Sequence, residues 1–76
     1  MAKVMIVDDN VDTVELLTKR FRAEGYETAA AHDGEEALRL VGECRPDLIV
    51  LDIMMPKIDG YEVCRRLKED EATRHI

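Results

Sequence analysis

The sequence predicts an α/β fold: a small parallel sheet with helices packed on its faces. Two short unbroken apolar runs, Val4-Met5-Ile6-Val7 and Leu48-Ile49-Val50-Leu51, have the Val- and Ile-rich composition of strands covered on both sides. Segments with apolar residues at helical spacing lie between and after them. Strand-like and helix-like segments therefore alternate as βαβαβα, which implies a parallel sheet with right-handed crossovers.

The first apolar run is the first strand. In the following helix Val11, Val14, Leu17 and Phe21 recur at three and four residues and form one apolar stripe. Asp12 and Glu15 near its start, and Lys19, Arg20 and Arg22 near its end, suit the helix dipole. Gly25 is a natural C-terminal stop. Glu27 to Ala31 is a weaker, Ala-rich strand, suited to a sheet edge. Asp33-Gly34-Glu35-Glu36 has the Asp-x-x-Glu spacing of a capping box and opens a second helix that buries Ala37, Leu38 and Val41. Pro46 prevents its continuation. The third strand, Leu48 to Leu51, follows. Asp59-Gly60-Tyr61-Glu62 repeats the capping spacing and opens a third helix, with Val63, Cys64 and Leu67 on its buried side. That helix ends in the polar run Glu69-Asp70-Glu71.

Seventy-six residues form a single unit, 1–76, without internal repeat or linker. A chain of this size buries only about 60% of its unfolded surface, so its stability is marginal. At 46% hydrophobic and 37% charged residues the composition is that of a globular protein rather than a disordered one. A net charge of −6 argues against a nucleic-acid surface, which needs clustered Lys and Arg. No apolar run reaches the ~20 residues of a membrane span. Met1-Ala2-Lys3 leads directly into the first strand, so no signal peptide is expected. Cys44 and Cys64 lack metal or redox spacing and read as reduced, partly buried thiols of a cytoplasmic protein.

The chemistry-bearing pattern is acidic. Asp8 and Asp9 follow the first strand directly, and Asp52 follows the third. Open α/β sheets bind ligands beyond the carboxyl ends of their strands, where the strand order reverses. If strand one lies between strands two and three, the ends of strands one and three are neighbours, ~4.8 Å apart. Three carboxylates then share one pocket, which a divalent cation relieves. Mg²⁺ suits it, since that ion takes hard oxygens from one or two carboxylates, waters and a phosphate. A carboxylate beside Mg²⁺ can attack phosphorus to form an acyl phosphate. An Asp after a strand is commonly just a helix N-cap. That reading suits Asp9 taken alone, and it suits Asp59. The three together favour a metal site.

These residues resemble the receiver domains of bacterial response regulators. The matching segments are Val4 to Asn10 (VMIVDDN), Pro46 to Pro56 (PDLIVLDIMMP), Asp59-Gly60, and Ala31 to Leu38 (AHDGEEAL). Together they cover essentially the whole chain. The resemblance implies a truncated flavodoxin-like (βα)3 half-domain with a three-stranded sheet of order 2-1-3. It implies a phospho-acceptor, Asp52, serving a two-component phosphorelay. Asp9 and Asp52 are then side-chain ligands of Mg²⁺, Met54 a ligand through its backbone carbonyl, and Asp8 acts mainly through metal-bound water. Met54 also stands two residues after the acceptor, where the family controls access to the acyl phosphate. Pro56 and Gly60 shape the loop beyond the acceptor. The implied partner is a histidine kinase or phosphotransfer protein, and the domain is not an enzyme, since transfer is to its own Asp52.

The family has five βα units and these residues supply three. Thr73-Arg74-His75-Ile76 resembles the stretch before the fourth strand. The family's switch Ser/Thr and its Lys at the ends of strands four and five have no counterpart here; Lys57 lies in a different loop. Without the later units the third strand becomes an edge, which is a template for pairing with another chain. The sequence therefore carries a second expectation: a homo-oligomer joined through that strand, or a complementing second half, with impaired phosphorylation. In that alternative the chain is a self-associating half-domain without signalling.

Other readings are weaker. An Asp-nucleophile phosphatase needs a second acid two residues after Asp52, where Met54 stands. A dinucleotide site needs glycines after the first strand, where Asp8-Asp9-Asn10 stands. His32 reads as a solvated turn residue near the pocket rim and His75 as tail. Tyr26, Tyr61 and Cys64 read as packing residues.

Overall fold

The computed structural model describes residues 2–76. Three strands and three helices alternate: β1 (Lys3–Val7), α1 (Val11–Ala23), β2 (Glu27–Ala31), α2 (Gly34–Cys44), β3 (Leu48–Leu51) and α3 (Gly60–Glu69). The sheet is parallel with order β2-β1-β3. Val7 pairs with Ala31 on one side and with Leu51 on the other, so all three strands end level with one another.

Alternation along β1 builds two cores from one strand. Val4 and Ile6 point to the face covered by α1, where they join Val14, Leu17, Phe21 and Val50. Met5 and Val7 point to the opposite face and join Ala37, Val41, Met55, Val63 and Leu67 from α2, α3 and the loop between β3 and α3. Val4 through Val7 are at most 1% exposed, as a run covered on both faces requires. β3 is less covered, and Leu48 is 52% exposed. Its outer side forms a groove with Cys64, Leu67, Lys68 and Ile76.

Helix ends follow the local sequence. α1 stops in a Schellman motif, with Tyr26 N–H bonded to the Phe21 carbonyl (3.1 Å) and Gly25 N–H to that of Arg22 (3.0 Å). Gly25 takes the left-handed conformation, φ 93°, that the motif requires. The Phe21 and Tyr26 rings close it with an edge-to-face contact, centroids 5.8 Å apart. Asp33 caps α2 by accepting from Glu36 N–H (2.8 Å), and Asp59 caps α3 by accepting from Glu62 N–H (2.9 Å). In α2 the Glu36 carboxylate returns a bond to His32 N–H (2.8 Å), one residue before the cap. In α3 Glu62 turns instead to Arg65 and Arg66.

Three packing expectations need correction. Cys64 is exposed, because α3 buries Val63 and Leu67, one turn apart, and Cys64 is rotated by about 100° from Val63. Tyr61 is 70% exposed for the same reason. Val11, at the open end of α1, is 61% exposed, so the α1 stripe begins at Val14. Cys44 is half-buried, and neither cysteine is in a disulfide. Among the described residues no helix is long and apolar enough to cross a membrane.

Candidate functional site

Hydrogen bonding continues past the strand ends and carries three acids to one place. Asp8 N–H donates to the Ala31 carbonyl (3.2 Å), and Asp52 N–H donates to the Val7 carbonyl (2.9 Å). Asp52 is thereby fixed beside the Val7–Asp8 peptide. Carboxylate oxygens of Asp8, Asp9 and Asp52 lie within 4.8 Å of one another. Asp8 and Asp52 are half-buried and Asp9 is exposed.

Two of the carboxylates are held by their own loops. Asp8 Oδ1 accepts Asn10 N–H (2.9 Å) and Asp52 Oδ1 accepts Met54 N–H (3.2 Å). Each bond fixes the plane of its carboxylate. Among the described residues, no hydrogen bond from protein reaches Asp52 Oδ2, and no Lys, Arg or His forms an ion pair with any of the three acids. Three clustered carboxylates without a cationic neighbour repel one another, and hard oxygens in this arrangement fit a divalent cation that prefers carboxylate and water.

The cap of α1 is Asn10, whose side chain accepts Thr13 N–H (3.1 Å), and Asp9 is left to the cluster. Asn ranks with Asp among the best N-caps, so the residue type was a signal for Asn10. Met54 lies in the loop after β3, 84% exposed, and its backbone N–H is tied to Asp52 Oδ1. His32 is exposed, its Nδ1 3.4 Å from Glu36. Lys57 is in the same loop as Met54 and adopts a left-handed backbone, φ 66°, which a side chain-bearing residue takes only at some cost.

The remaining close approaches involve glycine. Gly60, the first residue of α3, sits against the Asp52 peptide, and Gly34, the first residue of α2, against Ile58. Their spacing was invisible in one dimension, since it depends on where two helix starts meet one loop.

A parallel 2-1-3 sheet with an acidic cluster beyond strands one and three defines a receiver-type module. The chain belongs to the response regulator receiver domain family, whose model matches residues 4–76. It is 48% identical over 75 residues to response regulator PleD of Caulobacter vibrioides, covering 99% of this chain and 16% of PleD. It is 46% identical over 69 residues to the alkaline phosphatase synthesis transcriptional regulatory protein PhoP of Bacillus subtilis, covering 91% of this chain and 29% of PhoP. Among solved structures, the N-terminal domain of a response regulator receiver protein from Methanoculleus marisnigri superposes with a TM-score of 0.97 at 38% identity, over 100% of this chain and 62% of that one. Response regulator TrrA of Thermotoga maritima, solved in complex with Mg²⁺-BeF, superposes with a TM-score of 0.89 at 39% identity, over 93% of this chain and 62% of that one. The chain thus spans less than a third of these curated relatives and about three-fifths of these solved receiver chains. It is a receiver sequence of two-component signalling; receiver domains generally bind Mg²⁺ at an acidic pocket, and an Asp cluster is present here.

Proposed function

We propose that this chain is the phospho-accepting part of a response regulator and that Asp52 takes the phosphoryl group in a Mg²⁺-dependent step. The observation that carries this reading is the convergence of Asp8, Asp9 and Asp52 at the carboxyl ends of β1 and β3, in a chain of the receiver family. Asp9 and Asp52 would supply carboxylate oxygens to the cation and Met54 its backbone carbonyl, while Asp8 would act through water. A cation held there would supply charge neutralisation for the transferring phosphoryl group.

The residues of the chain set up the attack. Met54 N–H occupies Asp52 Oδ1, which orients the carboxylate and leaves Oδ2 as the nucleophile. Oδ2 forms a bond to phosphorus as the bond from phosphorus to the donor histidine nitrogen breaks. The departing imidazole keeps that electron pair and takes a proton from solvent. The donor is a histidine kinase or phosphotransfer protein, the reaction is cytoplasmic, and the chain modifies only itself. The exposed Leu48 edge leaves self-association as a structural option, but the comparisons lend no support to a half-domain without signalling.

Native mass spectrometry with Mg²⁺ and a small phosphodonor tests this proposal, with Asp52→Asn as control. A phosphoryl adduct on the parent that is absent from the control and suppressed by chelation supports it. No adduct on the parent, or an equal adduct on the control, refutes it.

A further inference from the structure

Both Asp-Gly pairs of the chain, Asp33-Gly34 and Asp59-Gly60, place a capping Asp and then a glycine at the start of a helix. Neither Gly34 nor Gly60 has a positive φ; among the glycines only Gly25 does. Their backbones therefore suit any residue, and what excludes a side chain is space. A Cβ on Gly60 would lie 2.5 Å from the Asp52 carbonyl oxygen and 2.7 Å from Ile53 Cα. A Cβ on Gly34 would lie 2.7 Å from the Ile58 carbonyl oxygen and 2.8 Å from Val63 Cγ2. In each case the obstructed neighbour includes backbone, which cannot swing aside as a long side chain can. Both glycines are buried.

The two contacts fall on the two ends of one loop. Gly60 meets it at Asp52 and Ile53, and Gly34 meets it at Ile58. The Ile53 carbonyl also accepts both Met55 N–H (3.3 Å) and Gly60 N–H (2.9 Å), which draws the loop back onto the start of α3. Between those ends lies Met54, whose N–H orients the Asp52 carboxylate. Gly60 is the loop-shaping position that the family resemblance implies; we infer that Gly34 is a second positioning residue for the acceptor: the bare start of α2 clamps the far end of the Asp52–Ile58 segment and, with Gly60 at the near end, sets the Asp52 carboxylate and the Met54 backbone against the acidic cluster. This inference rests on the reading of Asp52 as the Mg²⁺-dependent acceptor. A displacement of even about 1 Å at such a site can cost on the order of 100-fold in function.

The test compares Gly34→Ala and Gly60→Ala with Gly42→Ala in the full-length protein. Gly42 is exposed in α2 with nothing within 4 Å of its added Cβ, so its variant controls for the helix-stabilising effect of alanine. Amide chemical shifts are read first in metal-free protein, and Mg²⁺ affinity is then measured by titration calorimetry. The clamp predicts that Gly34→Ala and Gly60→Ala stay folded, shift the amides of Asp52 to Met54, and weaken Mg²⁺ binding by about tenfold or more. Gly42→Ala should do neither. Folded alanine variants with unchanged Asp52–Met54 shifts and parental Mg²⁺ affinity would overturn it. A variant that does not fold alone is measured in trimethylamine N-oxide, which favours the compact state; one that stays unfolded there has a general structural role and also overturns the clamp. A parent that binds no Mg²⁺ defeats the acceptor reading instead, while the metal-free shifts still decide whether the glycines set the loop.

Discussion

Asp52 donates its backbone N–H to the Val7 carbonyl at 2.9 Å, so the proposed acceptor is fixed to the central strand at the peptide that leads into Asp8. The first prediction concerns the repulsion this creates. Asp9 is the exposed member of the cluster. At the observed separations, one like-charge contact near a wet surface opposes folding by about 1 kcal/mol. Asp9→Asn should therefore raise the metal-free thermal midpoint by roughly 4–8 °C and reduce the rise that Mg²⁺ gives the parent. For the parent that rise corresponds to about 2.7 kcal/mol at a hundredfold excess over Kd. Scanning calorimetry with and without Mg²⁺ checks both signs.

A second prediction separates the helix caps from the site. Asp33 accepts Glu36 N–H at 2.8 Å and makes no part of the acidic cluster. Asp33→Ala should cost about 1 kcal/mol through loss of the α2 cap. Urea denaturation should show the midpoint falling at unchanged slope, with Mg²⁺ affinity unaffected once the fold is intact.

The central strand sets a third expectation. Met5 is fully buried among residues of α2, α3 and the loop after β3. Met5→Ala should cost about 2–5 kcal/mol, by lost burial and by the cavity left behind. In a unit of this size that is a large share of the total stability, and far-UV circular dichroism at 25 °C should show a substantial unfolded fraction.

Acid titration tests the surface of α3. Hydrogen bonds from Arg65 and then Arg66 hold the Glu62 carboxyl well below its usual 4.5, at about 2. A carboxylate with a depressed folded value stabilises the native state at pH above its unfolded value, and that contribution is lost as pH falls toward the folded one. The loss should therefore occupy the window from about 4.5 down to about 2. Glu62→Gln should flatten the pH dependence of stability across that window. The network is solvent-exposed, so high salt should weaken the effect in the parent.

Much of this was legible in one dimension because the signals were local and repeated. Val4 to Val7 and Leu48 to Leu51 announced strands by composition, and Asp8, Asp9 and Asp52 announced an acidic cluster by standing beyond corresponding strand ends. Gly25 marked the end of α1 because only a left-handed residue closes that motif. Helix rotation was legible only in part. The spacing places Val63 and Leu67 on the buried side but does not separate Cys64 from them, because an apolar residue adjacent to a buried one can lie well round the helix. Asn10 caps α1, but the neighbouring Asp9 is of a residue type that fits the same role, so sequence alone does not choose between them. The approaches of Gly34 to Ile58 and of Gly60 to Asp52 left no trace in spacing, since they arise only when two helix starts meet one loop in space.

The most direct test is to locate the acyl phosphate. The protein is treated with a small phosphodonor and Mg²⁺, reduced with borohydride, which converts an aspartyl phosphate to homoserine, and digested for peptide mass mapping. The account predicts homoserine at position 52, absent when Mg²⁺ is chelated. Reduction at Asp8, Asp9 or another carboxylate, or at none while the folded parent binds Mg²⁺, would contradict it.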